Sequence, residues 1–318
     1  MVPGLWLHHL LDAPVLHAPR YATILGSTCL GLTVLVLGWA LRRGCPESRP
    51  SERALATLFP LAFVIPFYSV GHVGYPHALD AVVCAGIFGA LASRRHPALC
   101  GLLIAAGVLV RLQNFLWLLW PLLEWTRAPA EDRRDQRLRL TTTAAVALLG
   151  VAPQVTMALA HPGSDTGPIR WSLSFFDLDN FIADLWTVLA GRHGLWSVTP
   201  LAALGCLGLV DAVRTGASAG PRGEPIAPTI ALPAATVALA MVVLMATVRD
   251  PDGGHAYGAR RLAGLTPILA FGLLHSLERA TASGLKLRRF LVVLTLLAMG
   301  LNLIRTAATI AGALPLTP

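Results

Sequence analysis

Apolar residues occur along this chain in long blocks and do not alternate with polar ones, a pattern typical of helices that are apolar on all sides. Several blocks reach the roughly 20 residues that a helix needs to cross the hydrocarbon core of a bilayer. The pattern predicts an all-α fold, a polytopic integral membrane helical bundle of about ten transmembrane helices forming one domain over residues 1–318. The predicted spans are residues 21–41, 54–70, 76–93, 97–110, 113–125, 141–160, 196–213, 229–247, 262–277 and 290–310.

The fourth and fifth predicted spans are shorter than the others. We interpret residues 97–110 and 113–125 as a pair of half-depth helices, which a membrane tolerates only where they are buried in protein or line a cavity. Short broken helices of this kind often lie near a functional site.

Composition agrees with a membrane protein. Charged residues make up only 13% of the chain, against roughly 25% in soluble globular proteins. This excludes a disordered chain and an ordinary soluble enzyme. The five cysteines include no pair at CxxC spacing, so we interpret them as packing residues, not as a disulfide framework or a thiol-metal site.

The net charge of +8 reflects topology, since Lys and Arg collect in cytoplasmic loops. Seventeen of the 25 basic residues fall in one set of alternate loops: Arg42, Arg43, Arg49, Arg53, Arg94, Arg95, Arg127, Arg133, Arg134, Arg137, Arg139, Arg214, Arg222, Arg279, Lys286, Arg288 and Arg289. The opposite set holds seven: Arg20, Arg111, Arg170, Arg192, Arg249, Arg260 and Arg261. The first set is predicted to be cytoplasmic, with both termini outside. No basic run interleaved with aromatics suggests a nucleic-acid partner.

The largest outer loop, residues 161–195, contains a predicted amphipathic helix. Five apolar residues fall at helical spacing between a cap at Asp179 or Asn180 and a stop at Gly191: Phe181, Ile182, Leu185, Trp186 and Leu189. Such a helix suits the membrane surface. The alternative is a helix packed on top of the bundle, and the sequence favours neither.

The strongest candidate site is the segment 248–267, which is predicted to face the outside. Three of its arginines lie on the side where basic residues are scarce: Arg249, Arg260 and Arg261. Glycines at 253, 254 and 258 allow close backbone approach. Because arginine presents a planar fork of donors that fits phosphate oxygens, the segment is a candidate phosphate seat, with His255 and Tyr257 as further binding residues. The alternative is contact of these arginines with lipid headgroups.

Two further groups are predicted on the same side. Arg111, followed by Gln113, lies at the tip of the short-helix pair among apolar residues, where it either binds an anion or extends to the interface. Pro76 at a helix start would place His77 and Asp80 one turn apart on one face. Three interpretations remain open: Asp80 orients the His77 ring, the two residues supply half of a metal site, or they only cap the helix at the interface. Two ligands are too few for zinc, so no metal site is predicted.

These segments resemble bacterial polytopic glycosyltransferases of the GT-C class. A G-L-W-x-x-x-P turn runs from Gly194 to Pro200, and a G-G-x-x-Y-G-x-R stretch runs from Gly253 to Arg260. Arg111 and Gln113, followed by Pro121, are similar to the R-x-Q…P region of that class. The resemblance covers residues 71–277. It implies sugar transfer from a polyprenyl-phosphate carrier to an acceptor at the outer face of a bacterial plasma (inner) membrane, with Arg260, Arg261 and Arg111 contacting the phosphate.

The chain departs from that class at its beginning. Members usually carry a catalytic acidic pair in the first outer loop. Residues 1–20 hold a single carboxylate, Asp12, which is the one candidate for a catalytic acid, and no recognisable translocation signal. Either the first span inserts from the outside unaided, or a further helix lies upstream of residue 1. We expect the second, with sugar transfer only where that region supplies an acid. The resemblance implies no firm cofactor and leaves a divalent metal open; neither the acceptor nor the sugar is specified. The alternatives are a transporter or flippase for an anionic lipid and a non-catalytic membrane partner.

Overall fold

A computed structural model describes residues 18–71, 76–153, 155–156, 178–191, 193–215, 228–248 and 260–311. Within these ranges the chain is all-helical and contains no strand, which confirms the predicted all-α class. The α-helices are α1 (Ala18–Gly44), α2 (Pro50–Thr57), α3 (His77–Ala92), α4 (Pro97–Val110), α5 (Leu119–Arg127), α6 (Arg133–Leu148), α7 (Phe181–Ala190), α8 (Leu195–Val198), α9 (Pro200–Arg214), α10 (Pro228–Ala246), α11 (Thr266–Ser283) and α12 (Leu285–Ile310).

Two of these helices, α1 and α12, are long and apolar enough to cross a membrane. A third span is present if α7–α8 and α9, which meet at a bend of 107°, are counted as one broken span. Three shorter helices are also apolar: α3, α4 and most of α10. Helices able to cross a membrane are thus present, whereas the number of ten stays a prediction.

The predicted span 54–70 is not one continuous helix. After α2 the chain forms a 3₁₀ turn at Phe59–Ala62 and a π-helical turn at Phe67–Gly71. Pro60 and Pro66 lack a backbone N–H and cannot continue an α-helical hydrogen-bond ladder, so the apolar run breaks where they occur.

The break exposes carbonyl groups that a side chain of α12 satisfies. The buried Asn302 amide donates to the carbonyl oxygens of Leu61 and Phe63, at 2.9 and 2.8 Å. Buried backbone carbonyls need such partners, particularly in an apolar environment without water. Asn302 therefore fixes the broken segment against α12.

The arginine-rich loops meet at one end of the bundle, which we call the basic end. The Arg95 guanidinium lies 5.7 Å from the centre of the Trp39 ring, and Arg139 donates to the Arg95 carbonyl at 3.0 Å. Arg288 pairs with the buried Glu52 at 2.8 Å. These contacts link the turn between α3 and α4 to α1 and α6, and they link α2 to the start of α12.

Glu52 fastens α2 to the last two helices. Besides Arg288, it accepts hydrogen bonds from Ser51 and from Thr281, the latter at 3.1 Å. Burial by itself would raise the pKa of this carboxyl, but the hydrogen bonds from Ser51, Arg288 and Thr281 outweigh it and hold the pKa below its ordinary value. Glu52 therefore stays ionised in its buried position.

The amphipathic helix α7 begins after Asn180 and ends at Gly191, as its pattern indicates. Its apolar residues divide between two surfaces. Phe181, Leu185 and Leu189 pack against the core, where α7 contacts α10, whereas Ile182 and Trp186 are 75% and 65% exposed. One face of α7 therefore packs on the bundle, and the other is exposed.

We expect Trp186 to contact lipid. In vesicles containing brominated phospholipids, Trp186→Phe should remove a large part of the lipid-quenchable tryptophan fluorescence, because an exposed Trp beside an apolar helix face inserts at the interface. Trp120→Phe is the control, since Trp120 is fully buried and its loss should leave the quenchable component in place. Unchanged quenching in Trp186→Phe would place the exposed face in water.

Candidate functional site

The candidate site forms at the end of the bundle opposite the basic end, where α3 begins and α4 ends. His77 and Asp80 lie in the first turn of α3 and are buried, Asp80 completely. The backbone of Arg111 leaves α4 in an extended conformation and enters a 3₁₀ segment, Leu112–Leu118. This change of direction brings Arg111 and Asn114 against the first turn of α3.

Arg111 lies between two groups of α3. Its Nη1 is 2.9 Å from Nδ1 of His77 and 4.0 Å from Oδ2 of Asp80. A guanidinium only donates hydrogen bonds, so Nδ1 of His77 is the acceptor and the neutral ring carries its proton on Nε2. The Tyr68 ring, 4.6 Å from the imidazole between centroids, holds the other side of His77.

Asn114 completes what we call the Arg111 cluster: His77, Asp80, Arg111 and Asn114. Its side-chain amide donates to Oδ1 of Asp80 at 2.6 Å and to the Gly107 carbonyl of α4 at 3.0 Å. A Cβ at Gly107 would lie 3.2 Å from the Asn114 Cβ, so glycine permits the close approach of the 3₁₀ segment. Asn114 therefore ties α3 to the end of α4.

Two further groups contact the Asp80 carboxylate. The Cys84 thiol lies 3.6 Å from Oδ1 of Asp80 and 3.3 Å from Oδ1 of Asn114. A Cβ on Gly264 would lie 3.4 Å from Oδ2 of Asp80. The guanidinium of Arg111, 4.0 Å from Oδ2, compensates part of the charge of this carboxylate.

The segment that bears Gly264 is the 3₁₀ turn Arg260–Leu265, which packs against α3. Its backbone is bonded to the Arg111 region, because Nε2 of Gln113 donates to the Arg261 carbonyl oxygen at 2.7 Å. Gln113 is buried and Arg261 half-buried, so this contact is partly shielded from the surroundings. Two segments that the sequence marked separately as phosphate candidates thus lie side by side.

The sequence-predicted site residues divide into three groups. Arg111 and Gln113 belong to the assembled site. Arg261 joins it through its backbone oxygen, and its side chain is half-buried. The remaining candidates Asp12, His255 and Tyr257 lie outside the described residues. For Arg260 only the backbone is described.

The sequence indicated the pair His77–Asp80 but did not connect it to Arg111. Cys84 gave no signal, because a thiol inside an apolar run is typical of packing. Among the described residues, no three His, Cys, Asp or Glu side chains are placed to hold a metal ion. The assembled groups hold one cation, Arg111, in a fixed position. The Arg111 side chain is 16% exposed, whereas its carboxylate partner Asp80 is completely buried.

Comparison with known proteins yields no family model, no curated protein and no solved structure that matches this chain.

Proposed function

We propose that this chain is the membrane scaffold of a glycosyltransferase that binds a polyprenyl-phosphate-linked sugar at the outer face of a bacterial plasma membrane. The proposal includes ten membrane helices, with the basic end in the cytoplasm and the Arg111 cluster outside. Its main support is the hydrogen bond from Gln113 to Arg261, which brings together two arginine-bearing segments from the arginine-poor set of loops.

The burial pattern supports an anionic ligand. In the Arg111 cluster the carboxylate lies inside and the guanidinium lies nearer the surface, so an approaching phosphate meets positive charge. Charge-assisted hydrogen bonds from arginine to phosphate are among the strongest polar contacts in proteins. Arg111, Arg261 and Arg260 would stabilise the phosphate that leaves during transfer. Asp80 is completely buried, which favours a role in holding Arg111 over one as the base that activates an acceptor.

The direct test is binding of polyprenyl phosphate to the purified chain. Arg261→Gln should weaken binding about tenfold or more, because one charge-assisted contact contributes about 1.5–3 kcal/mol. The hydrogen bond from Gln113 uses the backbone oxygen of Arg261, so this substitution leaves that bond in place. Arg43→Gln, an exposed residue of the basic end, is the control and should bind like the wild type.

Equal binding by wild type and Arg261→Gln would contradict the phosphate seat. The second candidate function is transport of an anionic lipid, which the broken segment between α2 and α3 favours, since many transporters bind substrate at discontinuous helices. Movement of a fluorescent anionic lipid between the leaflets of vesicles that contain the chain would support transport over transfer.

A further inference from the structure

A separate cavity of about 300 Å³ opens at the basic end, between the turn after α3, the end of α5, the start of α6 and the side of α10. Its charged lining residues are two cations, Arg94 and Arg127, and two carboxylates, Glu124 and Asp132. Leu123 and Pro233 form part of its apolar wall. The cavity shares no residue with the Arg111 cluster.

Arg94 occupies a backbone position that favours glycine. Its φ is +49°, and among the described residues it is the one non-glycine residue with positive φ. The hydrogen bonds Arg94 N–H to Leu91 O and Arg95 N–H to Ala90 O, at 3.0 and 2.9 Å, form the motif that ends many helices with a left-handed glycine. Glycine would adopt this conformation with less strain, so the arginine here calls for a use of its side chain.

The two carboxylates make the cavity unlike a simple anion site. Nε1 of Trp120 donates to Oε1 of Glu124 at 3.3 Å and so positions this carboxylate, on which the charge of Arg94 also acts. Asp132 lies in the turn between α5 and α6 and is exposed. The cavity therefore offers two positive and two negative groups within one headgroup-sized volume.

We propose that this cavity binds the headgroup of a zwitterionic phospholipid in which the phosphate carries a primary ammonium, that is, the phosphoethanolamine class. The guanidinium groups of Arg94 and Arg127 match the phosphate oxygens. The carboxylates of Glu124 and Asp132 accept hydrogen bonds from the ammonium, which a quaternary trimethylammonium cannot donate.

The place of the cavity favours a lipid over a soluble ligand. It lies at the end of α5 and beside the apolar helix α10, with Leu123 and Pro233 available to the glycerol and the first acyl carbons. Basic side chains between membrane helices on the cytoplasmic side recur at sites for lipid phosphates, and Arg94 and Arg127 supply them here. This inference does not depend on the proposed glycosyltransferase activity, although it shares the membrane orientation.

The test uses the full chain in detergent, with short-chain phosphatidylethanolamine, phosphatidylcholine and phosphatidylglycerol as probes and native mass spectrometry and melting temperature as readouts. Wild type should bind phosphatidylethanolamine about tenfold or more tightly than phosphatidylcholine. Arg94→Gly should bind phosphatidylethanolamine about tenfold or more weakly while its lipid-free melting temperature is equal or higher, because glycine relieves the positive φ. A loss of binding therefore cannot arise from unfolding.

Glu124→Gln tests recognition of the ammonium separately from recognition of the phosphate. Glutamine keeps the oxygen that accepts from Trp120 but has no charge for the ammonium, so the preference for phosphatidylethanolamine over phosphatidylcholine should disappear. Arg134→Gln, exposed and outside the cavity lining, is the matched control and should bind like the wild type.

Three results would overturn the proposal: equal binding of phosphatidylethanolamine and phosphatidylcholine by wild type, tighter binding of phosphatidylglycerol, or unchanged binding in Arg94→Gly. Water-soluble glycerophosphoethanolamine is the last probe, and it distinguishes a soluble ligand from a lipid. If it binds as tightly as the lipid, the cavity takes a soluble ligand, which would also overturn the proposal.

Discussion

Replacing Asp80 with alanine is expected to lower the free energy of unfolding by about 2–4 kcal/mol. Removing one partner of a buried ion pair typically costs about 3–5 kcal/mol, and the partial exposure of Arg111 reduces this figure. Asp80→Ala leaves the Arg111 guanidinium without its carboxylate and takes the acceptor from the Asn114 amide. Denaturation of the purified chain in mixed micelles, followed by circular dichroism, measures the loss.

A graded series tests this explanation. Asp80→Asn keeps the shape and the acceptor for Asn114 but removes the charge, so a loss of about 1–2 kcal/mol is expected. Glu47→Ala, at an exposed position between α1 and α2, should leave the stability unchanged. If Asp80→Ala is as stable as Glu47→Ala, Asp80 does not hold the Arg111 cluster together.

The sequence predicts the helices best where one apolar run is uninterrupted. The predicted spans 76–93 and 97–110 agree with α3 and α4 to within about one residue, because polar residues and prolines mark both ends. The run 54–70 fails as a single helix for a local reason, the two prolines Pro60 and Pro66. Judged by hydropathy alone, such a run is predicted to be a membrane span, because hydropathy does not depend on whether a residue has a backbone N–H.

The candidate site was only partly predictable. Arg111 stands out in the sequence as a charge within apolar surroundings, and His77 and Asp80 stand out as a pair one helical turn apart. Their association depends on how α3 and α4 pack against each other, which the pattern of one chain does not specify. Asn114 stands near Arg111 and Gln113 in the sequence, but its bond to Asp80 depends on the 3₁₀ segment that follows Arg111.

The contact between α9 and α11 is likewise one whose partners the sequence does not specify. Gly205 and Gly208, three residues apart on α9, form a small-residue surface of the kind that lets membrane helices approach closely. Their partner, Gly272 of α11, is far away in sequence. A Cβ on Gly208 would overlap the Gly272 carbonyl oxygen, and a Cβ on Gly272 would overlap that of Gly205. The two backbones are thus in direct contact.

Gly208→Ala is therefore expected to destabilise the chain by about 3 kcal/mol, since the obstacle is a rigid backbone carbonyl and the helices must separate. Gly300→Ala, on α12, is the matched control with the opposite sign. No atom lies within 4 Å of a Cβ at Gly300, so alanine should raise the stability by about 0.5–1 kcal/mol through its better helix propensity. The same micelle denaturation measures both variants. Equal stability of Gly208→Ala and Gly300→Ala would mean that α9 and α11 do not pack in backbone contact.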